Sequence, residues 1–227
     1  MYPLKFEDIL RPMIWGGEEI SRFKQLPEVH PGIGESWEIS QVGERVSVVS
    51  EGGDKGKTIT ELIKRDGANL LGKHVAARYA DKFPLLIKFI DAHDNLSIQV
   101  HPNDELAMAR HNSFGKTEMW YVIDCEPGAY LYCGLSKDVS KEEIEERIAN
   151  NTITEVLNRI DVKPGDVVMV KAGTIHAIGA GILICEIQQN SNSTYRMYDY
   201  DRRDKFGNPR ELHVAKALDV VDTKAYV

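Results

Sequence analysis

Three cysteines in 227 residues are too few for a disulfide-stapled scaffold. Cys125, Cys133 and Cys185 form no Cys-x-x-Cys pair and sit in apolar runs such as Leu183-Ile184-Cys185, so they read as buried free thiols in a reducing cytoplasm. A basic stripe is missing as well: 28 Lys and Arg, scattered along the chain, face 35 Asp and Glu for a net charge of −7, which argues against nucleic acid as a partner. The start, Met1-Tyr2-Pro3-Leu4-Lys5-Phe6, shows no basic segment followed by a long apolar one, so no secretory leader is visible. The run most like a membrane span, Val167 to Ile187, is broken by Lys171, His176 and three glycines at 173, 179 and 181; it reads as two or three buried strands, with no membrane partner. Internal repeats, low-complexity tracts and a βαβ rhythm are all lacking, and Gly179-Ala180-Gly181 precedes a strand instead of opening a helix, which excludes a dinucleotide fingerprint. What remains is a 42% hydrophobic chain long enough to bury a real core.

Short β-favouring runs dominate. Ser36–Ser40 and Arg45–Ser50 come first, then Leu85–Ala92, Leu96–Val100, Glu118–Cys125, Ala129–Cys133, Val167–Val170, Gly181–Gln188 and Thr194–Tyr200, each bounded by turn residues. Two helical insertions interrupt them. Residues 58–81 carry Ile59, Leu62 and Ile63 on one helical face, with Gly67 and Gly72 ending short pieces. Residues 140–160 open on the capping box Ser140-Lys141-Glu142-Glu143, run helically to Ala149, and are expected to add a second helical piece from Thr152 to Ile160. The expected class is mainly β, a sandwich or barrel with helical decorations, in one domain over residues 1–227.

Chemistry concentrates in three segments. In Asn95-Leu96-Ser97-Ile98-Gln99-Val100-His101, period-two alternation sends Ser97, Gln99 and His101 to one face and Leu96, Ile98 and Val100 to the other. Glu118 opens the next strand, where its carboxylate can meet His101. Gly165 to Thr174 supplies a turn, a strand and a second glycine, leaving His176 at a strand end. Two imidazoles, a carboxylate and an amide oxygen are a donor set for a divalent metal ion, set against the ordinary alternative of hydrogen-bonded core histidines. His30, His74, His93, His111 and His213 are left to that ordinary alternative.

Gln99-Val100-His101-Pro102-Asn103-Asp104, Gly115-Lys116-Thr117-Glu118-Met119-Trp120 and Ala172-Gly173-Thr174-Ile175-His176-Ala177-Ile178-Gly179 resemble the metal motifs of mannose-6-phosphate isomerases of the cupin superfamily. Tyr195-Arg196-Met197-Tyr198-Asp199-Tyr200 resembles that family's catalytic-arginine segment, and Arg11–Gly17, Gly34–Glu38 and Phe83–Lys88 extend the likeness over most of the chain. Gly165–His176 is similar to the second cupin motif, with Lys171 where proline is frequent. The resemblance implies a cupin-type β-barrel (jelly roll), one Zn2+ or another divalent ion per chain on Gln99, His101, Glu118 and His176, and Arg196 as catalytic arginine. It further implies a cytoplasmic enzyme interconverting mannose 6-phosphate and fructose 6-phosphate, as a monomer or homodimer. Many relatives continue into a second small barrel, which this sequence is expected to lack.

An anionic substrate needs local cations in a chain of this charge. Lys88, Lys116 and Arg196 are the candidates, with Lys116 open to either phosphate contact or proton transfer. Lys88, between Ile87 and Phe89, has the simpler alternative of a lysine snorkelling at a strand edge. Arginine rarely gives up its charge, so Arg196 is expected to act as a fixed cation. Two other readings of the ligand set are an iron-dependent cupin dioxygenase and a non-catalytic cupin that binds a sugar phosphate.

Overall fold

Two antiparallel sheets face one another in this computed structural model, which describes residues 2–204 and 206–226. The larger runs in the order Ile9–Gly17, Ile33–Ile39, Leu85–Ala92, Ile182–Gln189, Glu118–Cys125, Val167–Val170. The smaller runs Tyr195–Tyr198, Ile98–Val100, His176–Ile178, Tyr130–Leu135, Leu157–Asp161. Neighbouring strands come from distant parts of the chain, the crossing pattern of a jelly roll, and the expected mainly β cupin barrel is what forms.

Alternation decides which residues enter the barrel. From the large sheet, Ile90, Trp120, Val122, Val168, Val170, Ile182 and Ile184 point inward and pack with Leu131 and Ile178 of the small sheet. Ile98 and Val100 point the other way, into a second core under the helices Lys141–Ala149 and Val214–Val220. Leu96, expected beside them, precedes the strand and joins the interior cluster instead. That division leaves Gln99 facing inward with the space for polar chemistry.

The first helical insertion appears as three short helices, Ile59–Asp66, Ala68–Leu71 and Lys73–Tyr79. Thr58 and Glu61 form a capping box at its start, and Gly67 and Gly72 separate its pieces. In the second insertion the helix Lys141–Ala149 forms, but residues 152–160 do not continue as a helix: a single 3-10 turn, Ile153–Val156, leads into the strand Leu157–Asp161. The i, i+3 spacing of Leu157 and Ile160 looks helical because a register shift lies between their partners: Ile160 pairs with Leu131 and Leu157 with Leu135. Three helices, Glu19–Phe23, Asp104–His111 and Val214–Val220, and the strand Ile9–Gly17 add to the elements expected from the sequence.

Candidate metal centre and cavity

Strand register assembles the site. On the small sheet His176 lies opposite Gln99, and Gln99 opposite Arg196 on its other side. On the large sheet Glu186 lies between Lys88 and Trp120, while Glu118 pairs with Val170. The facing interiors bring His101, Glu118 and His176 together, all buried, with their donor atoms within 4.8 Å of one another.

His176 Nδ1 donates to the Thr174 carbonyl at 2.8 Å, which leaves Nε2 as the nitrogen carrying the lone pair. Burial lowers the pKa of His176 and takes that of His101 down to about 3, helped for His101 by the Lys116 cation, so both imidazoles are neutral near pH 7. Burial alone would raise the Glu118 pKa, yet the neighbouring Lys116 ammonium above all holds it well below the ordinary glutamate value. A charged carboxylate oxygen and an imidazole lone pair thus face each other at 3.3 Å with no proton between them, and Glu118 Oε1 has no hydrogen-bond partner among the described residues. Converging lone pairs repel unless a cation lies among them, and the Lys116 ammonium reaches His101 Nε2 and Glu118 Oε2 but leaves Glu118 Oε1 and His176 Nε2 facing each other. The donor set therefore fits a divalent metal ion. Gln99 reaches the same point, with its amide nitrogen 3.4 Å from His176 Nε2.

Lys116 sits inside this group. Its Nζ is 2.8 Å from His101 Nε2 and 2.6 Å from Glu118 Oε2, and the residue is 4% exposed. That position puts an ammonium within hydrogen-bond reach of two of the three clustered side chains. Lys88, at 7% exposed, does not snorkel. Its Nζ lies 2.9 Å from Glu186 and 3.6 Å from Glu35; burial opposes the ammonium, but those two carboxylates raise its pKa and keep it charged. Each carboxylate is pinned by an indole: Trp120 Nε1 donates to Glu186 and Trp37 Nε1 to Glu35, both at 2.8 Å.

A cavity of about 300 Å³ opens between the sheets, lined by Gln99, Lys88, Lys116 and Arg196. Arg11 and Arg210 also reach its wall, making five cations against the two carboxylates Glu35 and Glu186. A chain of net charge −7 thus presents a positive interior, as an anionic substrate requires. Glu35, Glu186 and Arg210 were not singled out from the sequence. For Glu186 a signal existed, a lone carboxylate at an inward position of the apolar run Leu183–Ile187; Arg210 lies in irregular chain, where no periodicity marks it.

Barrel and donor set together define a metal-binding cupin. The family model for the phosphomannose isomerase type I catalytic domain matches residues 4–124. Mannose-6-phosphate isomerase ManA of Bacillus subtilis is 43% identical over 223 residues, 97% of this chain and 68% of that protein. The crystal structure of mannose 6-phosphate isomerase from Bacillus subtilis superposes with a TM-score of 0.90 at 37% identity, covering 100% of this chain and 72% of that one. A zinc-bound mannose 6-phosphate isomerase structure shares the fold at 16% identity, with a TM-score of 0.74 over 98% of this chain and 75% of that one. The chain belongs to the type I phosphomannose isomerase family.

Proposed function

We propose that this chain is an aldose–ketose isomerase interconverting mannose 6-phosphate and fructose 6-phosphate in the cavity that Lys116 and Gln99 join to His101, Glu118 and His176. The observation that carries the reading is the convergence of that lone-pair cluster with a cation-lined cavity in a member of this family. A single zinc ion per chain is the cofactor, held by Gln99, His101, Glu118 and His176, with the Gln99 amide turned to offer its oxygen. When bound, such an ion polarises the substrate's carbonyl and hydroxyl oxygens and stabilises the negative charge that grows on an enediol-like intermediate.

The chain's own groups supply the rest. Lys116 Nζ, hydrogen-bonded to His101 and Glu118 and lining the cavity, is the proton carrier. Arg196, half-buried and charged, adds a fixed cation at the cavity wall. Lys88, fixed between Glu186 and Glu35, offers ammonium protons to sugar oxygens.

Metal analysis of the purified protein, run beside a coupled assay for fructose 6-phosphate with and without chelator, tests this directly. Chelation is expected to abolish turnover and zinc to restore it. His101→Ala and His176→Ala lose both metal and more than about 100-fold in turnover, whereas Arg196→Ala keeps the metal and loses about 100-fold. Full activity in either histidine variant contradicts the reading, and sugar-phosphate binding without turnover identifies a non-catalytic cupin. Oxygen consumption with iron, and no turnover with zinc, identifies a dioxygenase.

A further inference from the structure

Four of the five cavity cations have buried carboxylates against them, three of them with carboxylates of the large sheet. Lys88 meets Glu186 and Glu35, Lys116 meets Glu118, and Arg11 donates to Glu35 at 2.8 Å. Arg196 and Arg210 are balanced differently. Arg210 grips the buried Asp199 through Nε at 2.7 Å and Nη2 at 2.5 Å, which directs its fork and leaves Nη1 with no hydrogen bond to another described residue. Arg202 lies 3.8 Å from the same carboxylate, so Asp199 is the one buried carboxylate, and Glu211 an exposed one, set against Arg196, Arg202 and Arg210.

The backbone holds the two cavity arginines side by side. Arg196 N donates to His213 Nδ1 at 3.1 Å, His213 N returns a bond to the Arg196 carbonyl at 2.7 Å, and Arg196 Nη1 donates to the Glu211 carbonyl at 2.8 Å. Residues 211–213 are thereby fastened along the strand that carries Arg196, which puts Arg210 beside it. Burial and then the Arg210 charge depress the Arg196 pKa, a sign of two guanidinium groups in mutual repulsion. Arg196 Nε is buried without a hydrogen-bond partner. Two neighbouring guanidinium groups with free donors and one shared counter-ion are arranged for an anion of more than one charge.

We propose that Arg210, aimed by Asp199, seats the substrate's phosphate dianion together with Arg196. This rests on the isomerase reading of the cavity. Asp199 is a positioning residue and Arg210 a substrate-binding one. Lys88 and Lys116 are left to the sugar end, where carboxylates already offset their charges.

The test uses the metal-loaded full chain and two probes, mannose 6-phosphate for kinetics and inorganic phosphate for calorimetric titration. Arg210→Ala is expected to raise both KM and the phosphate Kd by about tenfold or more, with a smaller fall in kcat, and Arg210→Lys to recover part of the loss. If Arg210→Ala fails to fold, Arg210→Lys alone decides: losing the planar fork still weakens phosphate by about threefold or more. Asp199→Asn, which keeps the shape and frees the fork, weakens phosphate less than Arg210→Ala does. A phosphate Kd within about twofold of the parent in a folded Arg210 variant overturns the proposal, even when its melting temperature and kcat fall, since that pattern marks a purely structural arginine. Failure of the isomerase reading looks different: the parent binds phosphate through Arg210 but forms no fructose 6-phosphate.

Discussion

At the scale of single residues, the cavity wall is held by indole–carboxylate–ammonium relays. Trp120 Nε1 donates to Glu186 Oε2 while Glu186 Oε1 meets Lys88 at 2.9 Å, so the carboxylate has one neutral donor and one charged partner. Trp120→Phe keeps the ring and removes only the N–H, leaving a buried carboxylate oxygen without a donor. The expected cost is about 1–3 kcal/mol of unfolding free energy, measured by urea denaturation; an unchanged midpoint would mean the indole bond contributes nothing. The same logic explains why a lysine on an apolar strand is legible as unusual yet not as cavity-lining. Lys88 between Ile87 and Phe89 looks like an edge residue until Glu186 and Glu35 from two other strands are seen beside it.

At the scale of elements, the short connection ahead of Glu118 matters most. Asn103 caps the helix Asp104–His111 through the Leu106 N–H at 3.0 Å, and Asp104 accepts from Gly115 N at 2.8 Å, tying the connection to the helix start. A Cβ on Gly115 would lie 2.5 Å from the backbone of Asn103 and Asp104, which the cap cannot yield. Gly115→Ala must therefore push out Lys116 and Glu118, one and three residues on. Metal affinity, read by competition with a chromophoric chelator, is expected to fall by about tenfold or more, alongside a lower melting temperature. Most strands were legible because period-two alternation is a local property. The helix Asp104–His111 was not, because it buries only Ala107 and so carries almost no apolar stripe.

For the whole molecule, acid is the revealing perturbation. His101 and His176 are held neutral when folded but take up protons near pH 6.5 when unfolded, so the unfolded state binds more protons and stability falls as pH drops from about 6.5, for His101 down to about 3. Glu35 and Glu118, whose carboxyls are held below their ordinary values, add to the loss at lower pH; Asp91, raised by burial, opposes it. Chelator-treated protein is expected to lose up to about 1.4 kcal/mol per pH unit for each imidazole between pH 6.5 and 5. Urea midpoints across that range measure it, and a flat profile would show that the histidines are not held neutral.

Residue types in sequence determined the side chains that could meet a metal ion, the opposed faces of Ile98–Val100 and the family. Those follow from side-chain chemistry and from a backbone that turns over every second residue, both local. Tertiary structure alone decided which distant charges cancel: Lys88 against Glu186 and Glu35, and Arg210 against Asp199 beside Arg196. Charge balance depends on strand order and loop docking. Coulomb attraction acts on distance through space, and no spacing along the chain encodes that distance.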